Sequence, residues 1–263
     1  MRTSYHCHTT MTHGQSTVSD FVRAAIAAGL DEVGISEHYT LIPGQVVSWS
    51  MPPTGLAEYF RVLDAARAEA GDRVKLRFGL EADYIPESVA QLGQSLKQYP
   101  LDYVIGSVHY VGDFLTDESP DAWNELTQQQ RNDTMSAYWS CVTEMAKSGV
   151  FDIAGHLELY KKFGHRPTTD LSADIATALD AIAESGMAVE LNTSGWHYTG
   201  ECYPSPAILR ECNKRGIPTL VTMDAHHIDH ITRSYDQGVA ELRKAGYTQQ
   251  AVFSGREMSL VDY

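Results

Sequence analysis

Short β-rich runs alternate with segments of helical period from one end of this chain to the other, and that alternation restricts its fold more than any other feature. A parallel strand needs a long crossover to reach its neighbour, usually a helix, so a βαβα order implies a parallel sheet covered by helices. The pattern predicts strands at Thr3–His8, Glu32–Ser36, Val74–Glu81, Tyr103–His109, Phe151–His156, Ala188–Asn192 and Pro218–Asp224, with Gln250–Ser254 as a candidate eighth. Helices are expected over Val18–Ala28, entered through Ser16 or Thr17 and stopped by Gly29, and over Leu56–Ala70, Ser88–Gln98, Glu125–Lys147, Ser172–Glu184 and Ser205–Lys214. No linker rich in Pro, Gly or Ser interrupts the alternation, so residues 1–263 read as one domain. Seven or eight βα units in 263 residues fit a closed α/β barrel of the TIM type. The alternative, an open doubly wound sheet, lacks support because the first βα turn carries no glycine-rich phosphate fingerprint.

The residues at the C-terminal ends of these strands point to chemistry. Strand one ends in His6-Cys7-His8 with His13 following, and strand two in Ser36-Glu37-His38. Later strands end at Glu81, at Ser107-Val108-His109, at His156 and at Asp224-Ala225-His226. In a barrel all these ends meet on one rim, where the active sites of this architecture are built. Residues i and i+2 of a strand face the same way, so His6 and His8 can hold one ion together, and so can Asp224 and His226 if the chain there stays extended. Imidazole and carboxylate donors suit zinc, iron or manganese. Seven histidines and two carboxylates exceed the ligands of one ion and imply two or three ions with at least one bridging carboxylate. The four cysteines are scattered without a CxxC pair, which argues against a disulfide framework or a thiolate site. Cys7 points away from its histidine neighbours and reads as buried filler.

Charge narrows the partners. With 34 acidic and 20 basic residues the formal net charge is −14, which disfavours a nucleic-acid-tracking surface. No apolar run approaches the roughly 18–20 residues that span a bilayer, and the start MRTSYHCHTT resembles neither a signal nor a transit peptide, so a cytoplasmic location is expected.

The segments SYHCHTTMTHG, GISEH, GLEADY, YVIGSVHY, GHLEL, ELN and MDAH together resemble, in order and over nearly the whole chain, the PHP family of polymerase and histidinol phosphatase metallo-hydrolases. GLEADY, LDYVIGSVHY and KKFGHRP are similar to its histidinol-phosphate phosphatase branch. The resemblance implies a single distorted TIM-like (βα)7 barrel holding three divalent ions. It places His6, His8, Glu81 and Asp224 on one ion, and Glu81, His109 and His156 on a second. His13, His38 and His226 would hold the third. The implied reaction is hydrolysis of L-histidinol phosphate, a small phosphate ester, by in-line attack of a metal-bridging hydroxide, with Glu81, Asp224 and His226 acting through the metal centre. Neither a DxDx[TV] aspartate nucleophile nor a CxxxxxR loop is present to suggest a covalent phosphoenzyme. The general acid stays open.

Candidate substrate contacts are Lys161, Lys162, His165 and Arg166 after strand five, with Arg166 favoured because its fork can grip a phosphate bidentately. Ser107 and Asn192 are candidate hydrogen-bond donors. Glu190 would either orient a ligand histidine or recognise a substrate ammonium, and His197 could stack or donate a proton. The loop Thr40–Thr54, long for its place and carrying Trp49, is expected to be a lid or an excursion packed on the barrel. Three other readings remain: a PHP phosphoesterase for another small ester or a nucleotide, a metal-binding regulatory module without activity, and an amidohydrolase. The last typically carries a lysine where Glu81 and His109 end the middle strands here.

Overall fold

The structure, a computed structural model, describes residues 1–263. The strands in chain order are β1 Thr3–Ser4, β2 Glu32–His38, β3 Lys75–Asp83, β4 Tyr103–Ser107, β5 Tyr110–Val111, β6 Phe114–Leu115, β7 Ile153–Ala154, β8 Ala188–Asn192, β9 Thr219–Thr222, β10 Gln249–Ser254 and β11 Glu257–Asp262. Seven of them form one sheet in the order β1-β2-β3-β4-β7-β8-β9, every neighbouring pair parallel. A parallel bridge between Cys7 and Ala225 joins the two edges, with His8 N donating to Ala225 O at 2.9 Å and Ala225 N to His6 O at 2.9 Å. The barrel closes at the level of the histidines.

Three helices are capped at their N-termini by side chains. Helix α1 (Val18–Ala27) starts with a reciprocal capping box in which Thr17 and Asp20 satisfy each other's backbone N–H. The expected long helix Glu125–Lys147 is two, α4 (Pro120–Glu125) and α5 (Gln128–Lys147), because Leu126 is extended and Thr127 caps the second with Gln130 as its box partner. Helices α2 (Leu56–Ala70), α3 (Val89–Leu96), α6 (Ser172–Ser185), α7 (Ser194–Thr199), α8 (Pro206–Lys214) and α9 (Tyr235–Ala245) complete the chain. None is long and apolar enough to cross a membrane.

Two expected strands are much shorter than the sequence implied. The run Phe151–His156 keeps only Ile153–Ala154 as strand, because His156 N donates to the Glu190 carboxylate at 2.6 Å rather than to a neighbouring strand. Cys7 N likewise donates to Ser36 Oγ. Polar side chains of the pocket take over backbone groups that a longer strand would have paired.

The candidate eighth strand, Gln250–Ser254, is not part of the barrel wall. As β10 it pairs antiparallel with β11, and this hairpin sets Ala251, Val252 and Phe253 against Tyr5, Tyr103, Ile105, Ile153, Ala188 and Leu220 inside the barrel. Tyr5 and Tyr103 stack there with ring centroids 5.1 Å apart, and Phe253 meets Tyr5 edge-on. Gly34 and Gly79 make room for the Tyr103 ring, since a Cβ on either would lie 2.2 Å from it. The N-terminal end of the barrel is thereby filled with aromatics. Glu32, paired with Arg77 at 2.7 Å and accepting from Tyr5 Oη, lies among them, and the inward positions at the opposite end are polar.

Candidate metal centre and active site

Strand register gathers the polar residues. His38 on β2 lies opposite Glu81 on β3, and Asp83 opposite Ser107 on β4, so inward-facing positions two apart on β3 carry both Glu81 and Asp83. Glu81 is the hub. Its Oε2 lies 3.2 Å from His6 Nε2, 3.3 Å from His8 Nε2 and 2.9 Å from His38 Nδ1. Its Oε1 lies 2.8 Å from His156 Nε2 and 3.8 Å from His109 Nε2, and accepts from Ser107 Oγ at 2.6 Å. The two oxygens of one carboxylate thus face two separate groups of imidazoles.

Asp224 Oδ1 stands 3.7 Å from His6 Nε2 and 3.4 Å from His8 Nε2. The chain does not stay extended after it: Asp224 has φ 52°, in the left-handed region that aspartate tolerates better than most residues. That turn still brings His226 Nδ1 to 3.5 Å from Asp224 Oδ1 and its Nε2 to 2.7 Å from His13 Nε2. The rings of His8, His13, His38 and His226 lie face to face or tilted, with His8 and His38 centroids 4.2 Å apart.

These residues fit bound cations. Donor atoms of His6, His8 and Glu81, of His6, His156 and Asp224, of His38, Glu81 and His109, and of His8, His38 and His226 lie within 4.8 Å of one another in four overlapping sets. His6 Nε2, both ring nitrogens of His8, His38 Nδ1, Glu81 Oε2 and His156 Nδ1 are buried without hydrogen-bond partners. Buried polar atoms are seldom left so, and a cluster of them aimed at shared space is what a metal site looks like when described by its protein atoms alone.

A ring of carboxylates fixes the imidazoles from behind. Glu190, fully buried, accepts from His6 Nδ1 at 2.9 Å and Thr222 Oγ1 at 2.8 Å on one oxygen, and from His156 N at 2.6 Å and Asn192 Nδ2 at 3.0 Å on the other. With four protein donors it orients His6, and the alternative of recognising a substrate ammonium is corrected. Asp83, the aspartate of GLEADY, does the same for His109: its Oδ1 takes His109 Nδ1 at 2.9 Å and Oδ2 accepts from Thr40 Oγ1 at 2.6 Å. Its position two residues after Glu81 on one strand was the signal for it. Glu37, between Ser36 and His38, accepts from Thr9 N at 2.8 Å and from the hydroxyls of Thr9 and Thr12, tying down the loop that carries His13. Replacing Glu190 by glutamine is expected to weaken metal retention or kcat/KM by roughly 10- to 100-fold, as removing a group that orients a ligand does. Unchanged metal content and kinetics would show that His6 needs no such support.

Protonation divides the histidines. Burial, with the charge of His8 beside them, pushes His38 down to about 4 and His226 to about 3, and burial also lowers His13. Burial opposes charge on His8 and His109 too, but carboxylates outweigh it: Asp224 and Glu81 hold His8 at about 9, and Asp83 holds His109 at about 10. Against its burial, Glu190 and Glu81 raise His6 well above the ordinary histidine value too, so these three imidazoles carry protons at pH 7 in the metal-free protein, and ligation requires neutral nitrogen. Metal loading at pH 7 is therefore expected to release protons and to tighten as pH rises. Calorimetric titration in two buffers of different ionisation heat reads the release; equal heats in both would contradict it.

The other expected substrate contacts are placed as follows. Lys161 is fully buried, its Nζ donating to Glu158 at 2.9 Å and Cys202 O at 3.2 Å beside Glu201 at 3.1 Å, so it braces the loop rather than facing the pocket. Lys162 pairs with Asp117 at 3.1 Å, a carboxylate whose pKa is lowered by the nearby His109 and Lys162 charges against its burial. His165 stacks on Trp123, outside the cluster. Arg166 is exposed, with Nη2 3.3 Å from Glu201 and Nη1 donating to Lys161 O and His165 O. Ser107 donates its hydroxyl proton to Glu81 and has none left for a ligand, whereas Asn192 donates one amide N–H to Glu190 and accepts from Ser194 N and Oγ on its carbonyl, which leaves one amide N–H uncommitted. His197 is exposed against Tyr198, outside the cluster. Cys7 is buried beside Ser4, away from the histidines' donor atoms.

The PHP domain model matches residues 4–194, which carry six of these histidines, Glu81 and Glu190. This chain belongs to the PHP family. Among PHP relatives, a probable histidinol-phosphatase of Deinococcus radiodurans is 34% identical over 243 residues, covering 92% of each chain. A histidinol-phosphatase of Lactococcus lactis is 26% identical over 265 residues, 97% of this chain and 95% of the relative. The crystal structure of a histidinol phosphate phosphatase from Lactococcus lactis, complexed with zinc, L-histidinol and phosphate, superposes with a TM-score of 0.83 at 25% identity, covering 98% of both chains.

Proposed function

We propose that this PHP protein is a metal-dependent phosphomonoesterase that hydrolyses L-histidinol phosphate to L-histidinol and phosphate in the cytoplasm. The observation that carries the reading is Glu81, one buried carboxylate whose two oxygens serve two groups of histidines on the rim of a barrel. Full-length similarity to histidinol-phosphatases supports the choice of substrate. Three ions are inferred. His6, His8, Glu81 and Asp224 would hold the first, and Glu81, His109 and His156 the second. His13, His38 and His226 would hold the third. Zinc suits this donor set, as iron and manganese do. Divalent ions bound there lower the pKa of a water from about 15.7 towards 7 and neutralise charge on the phosphoryl oxygens. The chain supplies the rest: Glu190 and Asp83 hold His6 and His109 in the tautomer that leaves Nε2 free, and the aromatic floor keeps water out from below. Arg166, at the exposed rim, grips the phosphate dianion after exchanging its contact with Glu201.

Phosphate release from L-histidinol phosphate, compared with nucleotide, sugar and aryl phosphates after metal reconstitution, tests the assignment. A kcat/KM for the histidinol ester no higher than for a generic aryl phosphate would sink it. Truncating Arg166 to alanine is expected to lower kcat/KM by roughly 10- to 100-fold, the loss of a charge-assisted pair, with metal content retained. Normal kinetics in that variant would remove Arg166 from the phosphate.

A further inference from the structure

One buried polar atom at the active end of the barrel belongs to no proposed ligand. The hydroxyl of Tyr203, a residue only 1% exposed, has no hydrogen-bond partner. Its direction follows from backbone pairing. Strand β7 stops at Ala154, and beyond that level Tyr203 takes the place beside β8, exchanging both backbone hydrogen bonds with Asn192 at 2.7 and 3.1 Å. Residues directly opposed in an antiparallel bridge put their side chains on the same face. Asn192 sends its amide inward to Glu190, the carboxylate that holds His6 Nδ1 and His156 N. The Tyr203 phenol therefore also points into the barrel, toward the ligand cluster.

The segment that carries it is pinned on both sides. Cys202 O accepts from Lys161 Nζ at 3.2 Å, and Ser205 N donates to Glu158 at 2.6 Å. The buried Lys161 ammonium also stands over the Tyr203 ring, 5.4 Å from its centroid. Glu158, which joins Lys161 to Ser205, has φ 70°, a left-handed conformation that few residues other than glycine adopt. An ordinary phenol titrates at about 10 and keeps its proton at pH 7. Burial and the charge of Asp224 raise Tyr203 further. A neutral donor is thus fixed at the polar end of the barrel and left unsatisfied by the protein, where buried donors nearly always find a partner.

We propose that Tyr203 Oη donates a hydrogen bond to a phosphoryl oxygen of the ester bound at the metal centre and stabilises the charge there in the transition state. The proposal rests on the phosphatase reading above and adds to it a catalytic residue that no motif marks. The phenol keeps its proton throughout, so its contribution does not depend on the leaving group.

Tyr203→Phe keeps the ring and removes only the donor. It is expected to lower kcat/KM roughly 10- to 100-fold, the loss of a hydrogen bond to a charged group, and by the same factor on L-histidinol phosphate and on an aryl phosphate. Binding of inorganic phosphate to the zinc-loaded protein, read by calorimetry, should weaken about tenfold with metal content retained. Melting of the loaded variant should be unchanged or higher, since the change removes a buried hydroxyl that has no partner in the protein. Unaltered phosphate binding would overturn the proposal, and so would loss of metal from the variant, which would make Tyr203 a support of the ligands. A loss confined to L-histidinol phosphate would overturn it as well, by placing the hydroxyl on the alcohol or its leaving oxygen. If the unaltered enzyme cleaves the aryl ester as efficiently as L-histidinol phosphate, the histidinol assignment fails alone, and the aryl ester and phosphate binding still decide Tyr203.

Discussion

Glu81→Gln is expected to lower kcat/KM by roughly 10³-fold or more, beyond the 10²–10³ typical of removing one transition-state donor, and to reduce bound metal. Glutamine keeps the volume of a fully enclosed side chain, so packing is not what changes. Three imidazole nitrogens stand within 3.3 Å of Oε2, while His156 Nε2 and Ser107 Oγ stand within 2.8 Å of Oε1. An amide must place its NH2 against one of these groups, and an amide nitrogen cannot ligate a cation. Negative charge is lost as well. Burial alone would raise the Glu81 pKa, yet the His38 and His6 charges hold it well below the usual carboxylate range, a measure of how strongly the site favours an anion there. The metal-free variant should also unfold at a lower temperature than the metal-free parent, because the protons on His6 and His8 lose the anion that offsets them. Elemental analysis, steady-state kinetics and thermal unfolding separate these effects. Full metal content with normal turnover would show that Glu81 bridges nothing.

Much of this was legible in the sequence because two periodicities carry it. Alternation of β and α segments gave the barrel, and the i, i+2 rule put His6 and His8 on one face. The Lactococcus lactis fold agrees with the barrel, and the PHP domain match with the family that the motifs resemble. What the sequence hid depends on contacts between distant segments. Gln250–Ser254 has the burial pattern of a wall strand, and only its antiparallel pairing with Glu257–Asp262 makes it a plug. Lys161 belongs to a basic run that reads as a phosphate contact, but Glu158 and the remote Glu201 turn it inward. Helix α9 (Tyr235–Ala245) has few apolar positions among charged ones, so its helical period is weak in the sequence. Asp83 was visible in the same strand as Glu81 and needed only the inward face to be followed two residues further.

Removing the metal should abolish activity and lower thermal stability together. Ligands that bind only the folded protein stabilise it by mass action, about 4 kcal/mol for each site at a thousandfold excess of ligand over Kd. For a chain of this size about 1 kcal/mol moves Tm by roughly 2–4 °C, so a fully chelated protein should melt on the order of 10 °C or more below the loaded one. The site gives a structural reason for a loss of that size. Without cations, the unpartnered atoms of His6, His8, His38, Glu81 and His156 stay buried, and each costs about 1–3 kcal/mol of desolvation. Protonation of His8 and His109 relieves part of this below their folded values of about 9 and 10. These two values lie above the unfolded histidine value of about 6.5, so this contribution is present in full below pH 6.5 and is lost as pH rises through 9 and 10. The gap in Tm between loaded and chelated protein should therefore widen from pH 7 to pH 10. Restoring zinc or manganese should recover both Tm and phosphate release. A chelated protein that melts with the loaded one across that range would mean the cluster is stable without ions, and the metal-centre reading would fail with it.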